Sequence, residues 1–257
     1  MGTGYGAVYA AAVVLCTTWA FLRFRRAGFG ALIVLRGLSV AVWGGLIGAF
    51  VAGYLLTLIP GALAENAERG ARWGGSTIVG VLLGGVTAAV LYCRWHRLPL
   101  GRVFDIGFVP VPLGQVIGRL GCLSAGCCYG RPTTSWLGMR LEDVHGHVAV
   151  RYPTQLMAAG LNLMILLVLL GIEACRRRRG DADWPFPGAV FLTYIGLWCA
   201  NRFGVEFLRD TAPPVVGPLT WAHLATGVGF VVALGLFVRN LVRRLRENSV
   251  LETVSHN

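Results

Sequence analysis

The chain has 257 residues, 55% of them hydrophobic and 14% charged, with a mean hydropathy of +0.64. A soluble domain carries about 25% charged residues, so this composition reads as an integral membrane protein. The net charge is +11 and all 23 basic residues are arginine; they fall at segment ends or singly within apolar segments. That excess suits anionic lipid head groups, while the lack of any basic polar domain excludes nucleic acid as an expected partner.

Apolar runs long enough to cross about 30 Å of hydrocarbon number about seven. They lie near 5–23, 33–59, 76–93, 104–125, 154–174, 187–208 and 218–238. The first opens with YGAVY and lacks an A-x-A-like cleavage site, so it reads as a retained helix. The second is longer than a span needs, and a start nearer Leu38 is the alternative. The third carries GGSTIVGVLLGG, a small-residue pattern for close helix packing. In the fourth, Pro110 and Pro112 predict a break, tolerated in a membrane only where protein or water covers the freed backbone. A polar segment near 126–153 follows, with Arg131, Arg140, Glu142, Asp143, His145, His147 and Arg151. It is either a cover for a site or a solvated connector. The fifth run opens at YPTQL, where Pro153 is a start signal. The fold class expected is all-α: one polytopic membrane domain over 1–257, ending in a short basic tail near 239–257.

Arginine clusters set the orientation. Arg23, Arg25 and Arg26, then Arg94, Arg97 and Arg102, then Arg176 to Arg179, then Arg239, Arg243, Arg244 and Arg246 follow alternate spans. With seven spans they share one side, which the positive-inside rule makes cytoplasmic. The amino terminus is then outside, the carboxyl terminus cytoplasmic, and the 126–153 loop on the outer face.

Two charged elements carry the chemistry. In VPLGQVIGRLGCLSAGCCYGRPT, Arg119 stands among small and apolar residues with no neighbour in sequence to neutralise it. An arginine cannot shed its charge, so it must face a cavity, an anion or water. In WCANRFGVEFLRD, Trp198, Arg202, Glu206 and Arg209 recur at spacings of four and three and share a helix face. Glu206 can pair with Arg202 or Arg209; an ion-pair network that only joins helices is the plainer reading. Arg119 adds positive charge that Glu206 cannot balance, and a surplus of guanidinium groups asks for an anion, phosphate above all. Tyr5, Gln155 and His223 are further candidates for this site, against the readings of an interfacial tyrosine and a packing histidine. Cysteines in apolar segments usually act as small buried hydrophobes. Cys122, Cys127 and Cys128 lack C-x-x-C spacing, and the chain shows no H-E-x-x-H, P-loop or G-x-S-x-G motif, so neither metal nor organic cofactor is expected.

The ordered set YGAVY, GGSTIVGVLLGG, GRLGCLSAGCCYG, YPTQL, RFGVEFLRD and LTWAH resembles the bacterial prolipoprotein diacylglyceryl transferase family over most of the chain. The resemblance implies a seven-span protein of the bacterial inner membrane, with its site facing the outer leaflet. It implies a transferase of lipoprotein biogenesis. The diacylglyceryl group of phosphatidylglycerol passes to the lipobox cysteine thiol in a prolipoprotein signal peptide, forming a thioether and releasing glycerol phosphate. Arg119 matches the signature arginine, Gly130 a signature glycine, Arg202 and Glu206 the charged pair, Tyr5 the tyrosine of the first motif, and Arg209 the arginine closing RFGVEFLR. Arg119 and Arg202 would clamp the phosphate with Glu206 orienting Arg202, and Arg209, Gly130 and Gln155 would complete the phospholipid site.

The departures from the family pattern concern proton transfer and hydrogen bonding. Val79 stands where the family commonly has a histidine, a candidate base for the thiol. Cys122 and Ala125 stand where it has asparagines, Cys127 where it has an acidic residue, Trp198 for a tyrosine, Tyr152 for a histidine and His223 for a glutamine. Either another group, among His223, His145, His147 and Tyr5, deprotonates the thiol, or the chain is a diverged relative that acts on another lipid or acceptor, or only binds or moves an anionic phospholipid. Topology reporters fused at Gly180 and at His145 are expected to give cytoplasmic and external signals respectively; the reverse pattern would overturn the placement of the site.

Overall fold

The computed structural model describes the backbone of residues 2–57, 75–142, 146–210 and 216–255, and the side chains of 6–55, 80–142, 146–210, 216–247 and 249. The helices are α1 (Gly2–Arg26), α2 (Ala31–Thr57), α3 (Gly75–Trp95), α4 (Leu100–Phe108), α5 (Val111–Ser124), α6 (Thr154–Arg179), α7 (Ala189–Glu206) and α8 (Trp221–Ser255). Between α5 and α6, strands β1 (Met139–Glu142) and β2 (Val148–Arg151) pair antiparallel, with Met139 opposite Arg151. Five stretches among the described residues are long and apolar enough to cross a membrane: Gly6–Arg26, Ala31–Leu55, Leu100–Ser124, Thr154–Arg179 and Trp221–Glu247. A sixth apolar helix, Gly80–Trp95, is shorter.

The exterior is as apolar as a membrane protein requires. Phe50 is 74% exposed, Leu83 66%, Met164 61% and Val231 67%, an arrangement tolerable in lipid and not in water. The interior core joins Val109, Ile165, Leu166, Leu169, Val190 and Tyr194. Helices α2 and α3 pack backbone to backbone. A Cβ added at Gly48 would meet the Gly80 carbonyl at 2.2 Å, and one at Gly84 the Gly44 carbonyl at 2.2 Å, the close approach that small residues at four-residue spacing allow.

Three expectations are amended. Helix α2 starts at Ala31, not nearer Leu38, because the Val34 amide already closes its first turn on the Gly30 carbonyl at 3.1 Å. The loop near 126–153 contains a β-hairpin, one small sheet beside an otherwise all-α membrane fold. The basic tail near 239–257 continues α8 as far as Ser255, with Arg243 bonded to Glu247 one turn on. The break between α4 and α5 falls at Val109 and Pro110, and the Cys16 thiol of α1 donates at 3.2 Å to the Pro110 carbonyl, which also accepts the amides of Leu113 and Gly114.

Charges sort to the two ends of the bundle. At one end Arg23 of α1 makes a forked pair with Glu173 of α6 and donates through Nε to the Ile106 carbonyl at 3.0 Å. There too, Arg176 Nη2 donates to Asp105 Oδ2 at 2.8 Å. Asp105, 3% exposed, also accepts the amides of Gly188 and Phe191 at 2.9 Å each. A carboxylate of α4 thus caps the amino terminus of α7 from another part of the chain. Gly188 enters that helix with φ +97°, and Gly180, at φ +66°, closes α6.

Removing the acid from a buried pair leaves an uncompensated charge. Asp105→Ala is therefore expected to lower the unfolding free energy by about 3–5 kcal/mol, read as a fall in thermal stability in detergent. Glu247→Ala on the exposed end of α8 should leave it unchanged within error.

Candidate active site

The site is built at the end opposite those paired charges, where α5 finishes, α7 finishes and α8 begins. Helix α7 ends with Glu206, 5% exposed. Arg202, one turn earlier, donates through Nη1 to Glu206 Oε2, and Arg209 Nε lies 3.8 Å from the same oxygen. At that distance Arg209 makes a charge contact and not a hydrogen bond, and its Nε finds no hydrogen-bond partner among the described residues. Oε1 accepts the Thr220 hydroxyl at 3.2 Å.

His223 completes this corner. It is 1% exposed, against the rings of Phe207 and Phe203 at 4.2 and 5.0 Å between centroids. Its Nδ1 receives the Thr220 amide at 3.1 Å. An amide N–H can only donate, so Nδ1 is the acceptor and the neutral ring carries its proton on Nε2. That nitrogen has no partner among the described residues. In this tautomer Nε2 is a donor, while Nδ1 holds Thr220 and Thr220 holds Glu206.

The signature segment docks against this corner. The Gly130 amide bonds the Tyr152 carbonyl at 2.9 Å, the Arg131 amide bonds Leu208 O at 2.9 Å, and the Tyr152 amide returns to Arg131 O at 3.2 Å. Gly130 fits because it has no side chain: an added Cβ would stand 2.6 Å from the Tyr152 carbonyl and 2.7 Å from that of Leu208. Gly130 packs between the Tyr152 end of β2 and the end of α7. Gln155, 1% exposed, donates through Nε2 to the Cys127 carbonyl at 2.8 Å, and Thr154 donates to that of Cys128 at 2.8 Å. The Gln155 Oε1 has no hydrogen-bond partner among the described residues.

Arg119 reaches the same place from α5. It is half-buried, has no ion pair or hydrogen bond among the described residues, and acts electrostatically on Arg202 and on Cys128. Three guanidinium groups, Arg119, Arg202 and Arg209, therefore face one carboxylate, and the low dielectric of the surroundings amplifies the imbalance. Beside them, hydrogen bonds from the Cys122 and Cys127 thiols, followed by the charges of Arg209 and Arg119, hold the Cys128 thiol well below its usual range.

Of the residues singled out in sequence, the structure gathers Arg202, Glu206, Arg209 and His223 in one corner, with Arg119 acting on it electrostatically. The Tyr5 and Val79 side chains and all of His145 lie outside the described residues, and His147 is exposed in the hairpin. Tyr9, one turn beyond Tyr5, is the described tyrosine that reaches the site, its hydroxyl 3.8 Å from Cys122 Sγ. Sequence reasoning also missed Thr220, whose signal was its place three residues before His223 at the start of a helix.

The family model described as prolipoprotein diacylglyceryl transferase matches residues 3–239. The chain belongs to the prolipoprotein diacylglyceryl transferase family. Proteins named phosphatidylglycerol–prolipoprotein diacylglyceryl transferase resemble it at low identity. The one from Clostridium tetani is 28% identical, covering 93% of this chain and 93% of its own. One from Dehalococcoides mccartyi is 28% identical over 96% and 92%, and that of Symbiobacterium thermophilum 30% identical over 80% and 85%. This transferase-family chain thus keeps its arginine corner within a match that spans nearly its whole length.

Thr220→Val removes the donor to a buried carboxylate and should lower stability by about 1.5–3 kcal/mol, whereas Thr220→Ser, which keeps the hydroxyl, should stay within about 0.5 kcal/mol of wild type. Thermal unfolding in detergent compares the two.

Proposed function

We propose that this protein transfers the diacylglyceryl group of phosphatidylglycerol to the lipobox cysteine thiol of a prolipoprotein, forming a thioether and releasing glycerol phosphate. The observation that carries this reading is the unbalanced triad of Arg119, Arg202 and Arg209 around Glu206. The phosphodiester supplies the missing negative charge. Glu206 fixes Arg202, so its planar fork is aimed before substrate arrives. Sulfur attacks the glycerol methylene, the carbon–oxygen bond breaks, and charge grows on the leaving phosphate where Arg119 and Arg202 can meet it. An apolar groove of about 460 Å³ between α6 and α7, lined by Met157, Leu161, Ile165, Leu197, Gly204 and Leu208, runs up to Leu208 beside the arginines. It suits an acyl chain whose head group lies in the clamp.

The membrane placement follows the same reading. Helices α3 and α7 join the five long apolar stretches to make seven spans in a single domain of the bacterial inner membrane. The end holding Arg23, Arg176 and Asp105 faces the cytoplasm and the arginine site the outer leaflet, with the amino terminus outside. Trp136 and Trp221, 90% and 71% exposed near the site end, suit an interfacial belt.

Complementation of cells depleted of their own transferase tests the activity. Wild type should restore lipobox modification, and Arg119→Ala or Arg202→Ala should each lower the rate about 100- to 1,000-fold. A well-expressed wild type that modifies no lipobox substrate sinks the proposal.

A further inference from the structure

Transfer to a thiol needs a way to ionise it, and the free nitrogen of His223, Nε2, is a donor. Beside Arg119 the structure offers something else. The Sγ atoms of Cys122, Cys127 and Cys128 lie within 4.8 Å of one another, and none is in a disulfide. The C-x4-C-C spacing converges because the chain reverses where α5 ends. Gly126 takes φ +62°, and the Cys127 amide folds back to the Cys122 carbonyl at 3.1 Å. Cys128 then adopts φ +62°, a left-handed conformation that a non-glycine residue keeps only when its surroundings impose it. Gln155 and Thr154, 1% exposed each, impose it by holding the carbonyls of Cys127 and Cys128. The three sulfurs are therefore gathered by tertiary contacts and not merely by nearness in sequence.

We propose that Cys122, Cys127 and Cys128 bind a divalent thiophilic cation, zinc first, and that its open fourth position takes the acceptor thiol. Zinc–sulfur bonds of about 2.3 Å in a tetrahedron put the sulfurs about 3.8 Å apart, a small contraction of the observed cluster. Three protein ligands with one open position is the arrangement of catalytic zinc sites. Three thiolates around a divalent cation leave one net negative charge, and the Arg119 and Arg209 guanidinium groups, which both act on Cys128, offset it. Arg119 lies one turn before Cys122 on α5, so the metal and the phosphate clamp share one wall of the site.

This inference rests on the transferase reading and supplies its missing step. A thiol that coordinates such a cation is deprotonated outright. The acceptor thiol displaces water from the metal and its proton passes to bulk water. The metal-held sulfur pair then forms the sulfur–carbon bond to the glycerol methylene. The carbon–oxygen bond to phosphate breaks with its electron pair on the phosphate oxygen, and the phosphate monoester takes up a proton from water. The thioether, a neutral and weak ligand, leaves the metal. No electron is gained or lost, so no oxidant or reductant is required.

Full-length protein purified in lipid nanodiscs without chelator tests the site through metal content and spectroscopy. Wild type should carry stoichiometric zinc, and exchange with Co2+ should give near-ultraviolet sulfur-to-cobalt charge transfer with intense tetrahedral visible bands. A lipobox peptide should shift those visible bands and its cysteine-to-serine form should not. Cys122→Ser, Cys127→Ser and Cys128→Ser should each weaken metal retention, and the triple variant should lose it. Wild type that is metal-free as purified and takes up neither Zn2+ nor Co2+ overturns the proposal, a result independent of how any variant folds. Full transfer by chelator-stripped protein also overturns it, while leaving the transferase reading intact. Metal-loaded wild type that shows the peptide-dependent shift but modifies no lipobox substrate upholds the thiol-binding metal site and sinks the transferase reading instead.

Discussion

The carboxylate of Glu206 fixes the geometry on which the rest of the site depends. One of its oxygens meets Arg202 and Arg209 and the other accepts the Thr220 hydroxyl, so a single side chain joins the end of α7 to the start of α8. Leu208 and Arg209 follow directly, and it is on their backbone that the signature segment docks. A buried ion pair of this kind roughly breaks even in stability, because desolvation offsets the Coulombic gain. Its value lies in position: Arg202 is aimed, Arg209 is kept close, and neither guanidinium is fully neutralised.

The opposite end of the bundle shows what satisfied charge looks like. Arg23 has both oxygens of Glu173, and Arg176 has Asp105, which two backbone amides also hold. These groups tie α1, α4, α6 and α7 together and leave little to offer a ligand. The site end carries the same residue types with the balance tipped, since Arg119 meets no carboxylate among the described residues. Within one protein the fully paired network holds helices, and the unbalanced one holds room for an anion. That contrast argues against reading the Arg202–Glu206 pair as a helix fastener alone.

Much of this was legible in the sequence because membrane insertion leaves strong marks. An unpaired arginine in an apolar run, a three- and four-residue recurrence of charge, and prolines inside a span each have one physical consequence. What was hidden depends on contacts far apart in the chain. Asp105 is a lone acid in a predicted span, and nothing in sequence says that it caps a helix starting more than eighty residues later. The hairpin strands, MRLE and VAVR, are short and mix charge with apolar residues, so they read as loop. The tail beyond Arg239 was ended by hydropathy, which marks where lipid stops and not where a helix stops; Arg243 and Glu247 carry it on.

The cysteines show the same limit at the site itself. Spacing rules for thiol ligands assume a local turn of known shape, and C-x4-C-C fits none of the common ones. Here the turn is made by the end of α5, by Gly126 and by two buried side chains of α6 that no spacing rule contains. With the cluster in view, the departures from the family pattern stop being separate losses. On the family resemblance, Val79 stands where a histidine that could accept a proton is expected, and Cys122 and Cys127 where an asparagine and an acid are expected. In their place three gathered thiols stand one turn from Arg119. A cation held by those thiols would supply the ionisation of the acceptor that a base otherwise supplies, with Arg119 and Arg202 left to meet the leaving phosphate.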